Sequence, residues 1–429
     1  MSLWFFLLLN AVLLLRPEEL YPELAGVRLY LLVMAANLLA AGPRLIAALQ
    51  PSRLAERPIT LCVLGVWAAS VLSQVARGRV DAAMEFGAEY GKAVVYFLLL
   101  VGVLDTPSRI RTFLAAVVAL VVASAGVGLL QFHGVIDVPA IIPLERIERG
   151  EDGEVTVLQQ LQSTGIYNDP NDLCLILVTG TIAALAVAVT SRGLLARLFW
   201  LMPIGLFGYA VVLTRSRGGL LGLVVAVAVW AWGRFGWKRA LPLVLVLAPA
   251  MVFLAGGRQS NISLGREDTA HTRVSLWSDG LVSMMRNPVT GIGAGEYADE
   301  VGQVAHNSFV HAYVELGLVG GSLYLAAFVA AGVALYRVRP TDPLLAALRP
   351  FVLAILVGYA GGTFSLSRNY VVPTYLVLGL ADAYLRTAVP FPPPAAGLSW
   401  RMVVRLLVVG GVGFLALRLL TQLLMAAAG

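Results

Sequence analysis

Long apolar runs recur along the whole chain of 429 residues, and their length restricts the fold more than any other feature. A bilayer core of about 30 Å requires about 20 mostly apolar residues in a helix, because backbone that faces lipid must satisfy its hydrogen bonds internally. The sequence therefore predicts an all-α, polytopic integral membrane protein with about 12–13 transmembrane helices. Thirteen runs approach the required length, at residues 2–15, 27–41, 58–76, 87–104, 112–132, 171–190, 198–213, 218–232, 240–256, 308–336, 350–366, 371–387 and 402–424.

The composition excludes several other classes of protein. Hydrophobic residues make up 59% of the chain and charged residues only 13%, which is more apolar than a soluble core requires. The two cysteines, Cys62 and Cys174, each lie in an apolar run, so neither a disulfide scaffold nor a cysteine metal site is predicted. The net charge of +6 is not gathered into a basic patch, so no nucleic-acid partner is predicted.

Basic residues between the runs predict the orientation. Alternate connections form one set that is short throughout and carries two or three bases in each, for example Arg109 and Arg111. Short loops rich in Lys and Arg stay in the cytoplasm, so the other set is predicted to be external. The predicted organisation is 1–132 as N-terminal transmembrane helices, 133–170 as a first external loop, 171–256 as transmembrane helices, 257–307 as a second external loop with an amphipathic helix, and 308–429 as C-terminal transmembrane helices.

The second external loop contains one helical pattern. Apolar residues recur at helical spacing between Thr272 and Asn287, and Pro288 follows as a stop. This pattern predicts an amphipathic helix on the outer membrane interface. The run from Gly291 to Gly295 resembles a dinucleotide-binding loop, but no strand precedes it, so it is interpreted as a flexible turn.

Two arginines lie in a short turn between apolar runs, in the segment from Thr214 to Gly219. Arg215 and Arg217 must therefore lie near the outer headgroups. One interpretation is that both side chains reach out to lipid phosphate. The other is that one guanidinium binds the phosphate of a bound lipid, with Gly218 and Gly219 leaving room for the headgroup.

The histidines after the second loop do not suggest a metal site. His306 and His311 lie about 140° apart on a helix, unlike the same-face pair of a metalloprotease. His311 and Glu315 are four residues apart and could pair within the core. His306 precedes the capping-type residue Asn307, at a helix start that favours an anion, and an imidazole can accept a hydroxyl proton. A capping or surface role is the alternative.

Four motifs occur in order along the chain: Asn168-Asp169-Pro170-Asn171, Thr214-Arg215-Ser216-Arg217-Gly218, Arg273 through Trp277 to Asn287-Pro288-Val289-Thr290-Gly291-Ile292-Gly293, and His306-Asn307 followed after nine residues by Gly317-Leu318-Val319-Gly320. In these motifs the chain resembles the bacterial O-antigen ligase superfamily, which also contains Wzy-type polysaccharide polymerases and ligases that glycosylate pilins. The resemblance covers residues 165–325 well and the first 130 residues only by hydropathy.

This resemblance implies a GT-C-like glycosyltransferase in the bacterial inner membrane, with its active site facing the periplasm. The implied catalytic residues are Arg217 and Arg273, which bind the pyrophosphate of an undecaprenyl-linked glycan, and His306, which activates the acceptor hydroxyl. Neither a metal nor another cofactor is expected. The further residues expected to bind substrate are Arg215, Arg266, Arg286, Asn307 and Glu315.

Three functions remain open at this point. A ligase would transfer the glycan to a separate acceptor such as lipid A-core, whereas a polymerase would use another lipid-linked repeat. Both would invert the anomeric carbon, and the same residues would serve either reaction. A transporter of lipid-linked sugars is the third alternative, but transporters bind substrate near the midplane on broken helices in related halves. Here the polar residues cluster at one predicted face, and no related halves are detectable.

Overall fold

The structure, a computed structural model, describes residues 2–24, 26–50, 54, 57–149, 155–255, 269–389 and 400–428. Each of the thirteen apolar runs forms the greater part of a helix. The first elements are α1 (Ser2–Leu15), α2 (Pro17–Leu20), α3 (Leu29–Ala48), α4 (Pro58–Val75), α5 (Val80–Val103), α6 (Pro107–Phe132), β1 (Leu144–Arg149) and β2 (Val155–Gln160). They are followed by α7 (Pro170–Thr190), α8 (Leu194–Thr214), α9 (Arg217–Phe235), α10 (Trp237–Ala255), α11 (Thr269–Met284), α12 (Tyr297–Val301), α13 (Ser308–Arg337), α14 (Pro343–Gly362), α15 (Val372–Ala388) and α16 (Trp400–Ala428).

Within the described ranges, nine helices are long and apolar enough to cross a bilayer: α4 to α9, α13, α14 with the turn after it, and the Val408–Ala426 part of α16. Helix α1 and the Leu29–Gly42 part of α3 are shorter apolar helices. The predicted polytopic helical class is confirmed, and the larger count of 12–13 spans stays a prediction.

One β-hairpin, in the first of the two loops predicted to be external, was not predicted. Strands β1 and β2 pair antiparallel, from Leu144 opposite Gln160 to Arg149 opposite Val155. The hairpin is joined to the end of α8, because Leu161 N donates to Leu213 O at 3.0 Å and Gln160 Nε2 to Thr214 O at 2.9 Å. The loop therefore supports the turn that carries the two arginines.

The chain divides into two compact units, each built from three separate segments. The first unit comprises Met1–Gly42, Val103–Ser260 and Arg339–Gly362, and the second comprises Pro43–Gly102, Asn261–Val338 and Thr363–Gly429. The predicted boundaries at 132, 170, 256 and 307 divide the chain in sequence order and stay a prediction. The two units are a different kind of division, because each contains elements that are far apart in sequence.

Small residues bring helices of the first unit close together. Helix α9 contacts α14, and a Cβ added at Gly222 would lie 3.0 Å from Gly358 O. A Cβ at Gly358 would lie 2.5 Å from Ala226 Cβ. Small residues at such a helix interface allow the backbones to approach, which is how helices associate where lipid removes the hydrophobic driving force.

In the second unit, α13 contacts α4, α11 and α16. The amphipathic helix predicted over 272–287 is α11, and its apolar side chains Val274, Leu281 and Met284 are buried. Because α11 contacts α13 and α16, its apolar face packs on protein. The predicted helix is therefore present, and its place at the outer membrane interface stays a prediction.

Candidate functional site

The first two motifs form one structure in the first unit. Asp169 caps α7 by accepting a hydrogen bond from Asn171 N at 2.8 Å, and Pro170 lies in the first turn of the helix. Ser216 caps α9 in the same way, because its Oγ accepts from Gly219 N at 3.0 Å. The Ser216 hydroxyl also donates to Asn171 Oδ1 at 2.7 Å, so the two turns are held together.

The two arginines of this turn have different environments. Arg215 ends α8 in the left-handed conformation, with φ of 53°, and is half-buried. Arg217 is the first residue of α9 and is exposed. Because α9 begins there, its free N–H groups and the guanidinium favour the same anionic partner. The turn therefore presents one exposed cation at a helix start.

Gly219 is explained by helix packing rather than by access for a headgroup. A Cβ at this position would overlap Cys174 Sγ and Cβ in α7. The hypothesis that Gly219 leaves room for a ligand is therefore replaced by a packing requirement between α7 and α9.

The start of α13 in the second unit carries the predicted histidine. Asn307 is the N-cap, with Oδ1 accepting from Phe309 N at 3.0 Å and from Val310 N at 3.1 Å. His306 directly precedes this cap, is half-buried and has a left-handed φ of 49°. Trp277 of α11 donates to Ala305 O at 2.6 Å and so holds the segment before the histidine. Left-handed residues other than glycine are strained and concentrate at functional sites.

The predicted pair of His311 and Glu315 is confirmed, and it lies in the core. His311 Nε2 is 2.9 Å from Glu315 Oε1, and Glu315 is 1% exposed. Glu315 Oε1 also accepts from Tyr297 N at 3.1 Å, and Oε2 accepts from Tyr370 OH at 2.7 Å. Burial first, and the Glu315 carboxylate second, raise the pKa of Tyr370 well above its usual value. Tyr370 therefore remains a hydrogen-bond donor to Glu315.

The glycine run is a hydrogen-bonded segment that is buried from Gly291 to Ala294, and not a flexible turn. Gly293 N donates to Glu315 O at 3.1 Å, and Leu318 N donates to Pro288 O at 2.8 Å. Helix α13 is broken at Gly317, with φ of 65° and ψ of −166°, and a Cβ there would overlap Val289 O. Residues 288–293 lie against this break, because N–H and C=O groups of α13 that lose their helical partners there form hydrogen bonds with this segment.

Of the three arginines in the second loop that are predicted to bind substrate, the structure describes two. Arg273 lies near the start of α11 and is half-buried. Arg286 follows α11, is exposed and forms an ion pair with Glu300 at 3.1 Å, which contributes little to stability at such a surface position. Arg266 lies outside the described residues.

Sequence reasoning missed Arg368, which lies in the turn between α14 and α15. Its backbone N donates to Ser308 Oγ at 2.9 Å, and Asn369 Nδ2 donates to Ser308 O at 2.7 Å. Tyr375 OH donates to Asn369 O at 2.8 Å and fixes the turn from the other side. The turn is thus attached two residues from His306. The sequence contained one indication of this residue. The connections between apolar runs alternate between the two sides, so residues 366–371, which include Arg368, belong to the set predicted to be external.

Arg215 and Arg217 belong to the first unit, whereas the second unit contains Arg273, Arg286, His306, Asn307, Glu315 and Arg368. Among the described residues, no three His, Cys, Asp or Glu side chains form a group that could hold a metal ion.

Comparison with known proteins supports the motif assignment. Residues 202–325 match the family model described as O-antigen ligase. The matched segment begins within α8 and extends into α13, so it contains Arg217, Arg273 and His306. No curated protein matches the sequence.

Proposed function

We propose that the chain is a member of the O-antigen ligase superfamily, which its match over residues 202–325 supports, and that it transfers a glycan from undecaprenyl pyrophosphate to an acceptor hydroxyl on the outer face of the bacterial inner membrane. The family match and the apolar helices support a multi-pass membrane enzyme of the O-antigen ligase or polymerase type in polysaccharide biosynthesis. The identity of the donor and of the acceptor, the side of the membrane and the roles of individual residues are proposed in addition to this general type of enzyme.

In the proposed reaction, the acceptor oxygen attacks the anomeric carbon of the first sugar. The bond from that carbon to the phosphate oxygen breaks, and undecaprenyl pyrophosphate leaves with the electron pair. The acceptor proton passes to His306. Because the displacement is a single direct attack opposite the leaving group, the anomeric centre inverts. Negative charge develops on the leaving oxygens, and fixed cations stabilise such charge without reorganisation in the transition state. Arg217 and Arg273 have this role, and no metal is required by the proposal.

The conformation of His306 is the observation that carries the proposal. The imidazole lies outside α13, just before a cap that fixes the backbone, and the structure maintains a left-handed residue there. A general base must be held within hydrogen-bond reach of the hydroxyl that it deprotonates. The Asn307 cap and the Trp277 hydrogen bond to Ala305 supply that support.

The other residues act around this centre. The Nδ2 group of Asn307 is buried and has no hydrogen-bond partner among the described residues, so it offers a donor to a substrate oxygen. Arg368 adds a cation beside the start of α13. Arg215, Arg266 and Arg286 contribute further positive charge for the glycan phosphates, and Glu315 holds Tyr370 from within the core.

Transfer assays in proteoliposomes test the enzyme. His306→Ala is expected to reduce transfer by about 100-fold or more, as loss of a general base does. His133→Ala is the matched control, because His133 is exposed in the first loop and pairs with Tyr209 at 3.0 Å. If His306→Ala leaves transfer unchanged while Arg217→Ala abolishes lipid translocation, the protein is a transporter and the enzyme proposal is wrong.

The acceptor is tested by leaving it out. Purified protein incubated with lipid-linked repeats alone should give a ladder of products if it is a polymerase. Unchanged or hydrolysed donor, with transfer restored by lipid A-core, supports the ligase, which we propose first.

The orientation is tested by labelling. Cysteine introduced at the exposed position Gln303 should react with an impermeant maleimide on intact cells, whereas cysteine at the exposed position Lys238 should react only after lysis. The reverse pattern would place His306 on the cytoplasmic side and contradict the proposal.

A further inference from the structure

A groove between α11 and α16 in the second unit is not used by the proposed reaction. Its volume is about 110 Å³, and it is only partly enclosed. The apolar lining includes Val282, Met285 and Phe414, and the polar lining includes Arg418 and Gln422. Val282 is 64% exposed and Met285 50% exposed, so these apolar side chains are not covered by the other residues that the structure describes.

Arg418 lies within an apolar membrane span. The Val408–Ala426 part of α16 has the length and hydropathy of a span, and Arg418 lies eight residues before its C-terminal end, which is about 12 Å along a helix. A charge at that depth is costly and requires a partner. Among the described residues, Arg418 forms no ion pair or hydrogen bond.

The size of the groove restricts what it could hold. A pocket that encloses a whole small ligand has about 300–1,000 Å³, so 110 Å³ accommodates only one segment of an elongated molecule. The lining combines a lipid-like surface with one guanidinium and neutral donors such as Gln422 and Ser278. One guanidinium matches a single phosphodiester charge, whereas a pyrophosphate carries more charge than this site compensates.

We propose that this groove binds an anionic phospholipid. The phosphodiester contacts Arg418, and the first part of an acyl chain lies along Phe414, Val282 and Met285. The bound lipid supplies the counter-charge for Arg418 inside the membrane. It also adds contacts to α11, the helix that carries Arg273. The proposal of a lipid site does not rest on the proposed glycan transfer, because its test measures lipid binding and not transfer.

Native mass spectrometry of delipidated protein tests the site, with phosphatidylglycerol as the probe. Wild type is expected to bind one phosphatidylglycerol more tightly than any further copy. Arg418→Gln should weaken that binding roughly 10- to 100-fold, which is the effect of losing a charge-assisted hydrogen bond. Arg405→Gln is the matched control, since Arg405 is exposed on α16 and is not part of the groove lining. Its binding should equal that of wild type.

Two further variants keep the test independent of folding defects. Val282→Trp fills the groove with Arg418 intact and should weaken binding to a similar extent. Arg418→Lys retains a positive charge and should recover most of the affinity, and thermal unfolding verifies that each variant is folded.

Three results would overturn the proposal. Equal phosphatidylglycerol binding by wild type and Arg418→Gln would mean that Arg418 contacts exchanging lipids of the bilayer and not one lipid bound in the groove. Equal binding of diacylglycerol, which has the chains but no phosphate, would remove the role of the guanidinium. Displacement of phosphatidylglycerol by undecaprenyl pyrophosphate at lower concentration would assign the groove to the glycan donor.

Discussion

Ser216 Oγ and Asn171 Oδ1 are joined by a hydrogen bond of 2.7 Å, which connects two turns that are 45 residues apart in sequence. The same hydroxyl caps α9 at Gly219 N. Arg217 follows Ser216 directly, so the direction of its backbone is fixed by both bonds.

Ser216→Ala is expected to destabilise the protein by about 1–2 kcal/mol, because it removes a helix cap and a buried hydrogen bond together. Glycan transfer should fall as well, since the start of α9 is released. Thermal unfolding and transfer rates measure both effects. Thr181→Ala on α7 is the control, because Thr181 donates only to Leu177 O four residues earlier. Equal unfolding temperatures of the two variants would contradict the coupling of the turns.

Gly317→Ala should destabilise the second unit by about 2–4 kcal/mol, because alanine is strained at the left-handed φ and its Cβ would overlap Val289 O. The control is Gly205→Ala, since a Cβ at Gly205 in α8 meets no atom within 4 Å. This change should leave the unfolding temperature unchanged or raise it slightly. A neutral Gly317→Ala would mean that the glycine run does not depend on the break in α13.

Arg368→Gln is expected to lower kcat/KM for transfer about 10- to 100-fold, because a cation beside the start of α13 is lost. Arg368→Lys should recover part of the activity, which a purely structural role would not require. Arg192→Gln, on an exposed arginine in the α7–α8 connection, serves as the control. An unchanged kcat and KM in Arg368→Gln would exclude a role of this guanidinium in substrate binding.

Glu296 makes the second unit sensitive to acid. Partial burial raises its pKa, but hydrogen bonds from Gln74 and Arg79 outweigh burial, so the pKa lies below the ordinary value of 4.5. A group whose pKa is lower in the folded state contributes stability above the unfolded pKa, and this is lost as pH falls through the folded pKa.

Glu296→Gln should therefore lower the unfolding temperature at pH 7, and the difference from wild type should shrink as the pH falls below 4.5 and vanish once the pH is below the lowered pKa of Glu296. Asp299→Asn, on an exposed carboxylate in α12, is the control and should show no such convergence. A constant difference between Glu296→Gln and wild type from pH 7 to pH 3 would show that the carboxylate charge is not the cause.

Local features of the chain could be predicted from sequence. The helices follow from runs of apolar residues, and the caps at Asp169 and Asn307 follow from side chains that bind peptide groups two or three residues away. The pairing of His311 with Glu315 follows from their spacing on one helix turn.

Contacts between distant segments could not be predicted in this way. The hairpin β1–β2 occurs in a polar loop where apolar alternation is confined to Val155 and Val157, which is too short a pattern to predict a strand. Arg368 binds Ser308 across 60 residues. The glycine run looks like a turn in sequence, and only the break in α13 at Gly317 gives its peptide groups their partners.

By itself the sequence determined that this is a polytopic helical membrane protein whose motifs resemble those of the O-antigen ligase superfamily, because span length and helix caps depend on neighbouring residues and on the cost of unpaired peptide groups in lipid. Tertiary structure decided which motifs support one another, that the apolar face of α11 packs on protein, and that Arg368 lies beside the start of α13. Those outcomes depend on helix packing and long-range loop closure, which no local pattern encodes.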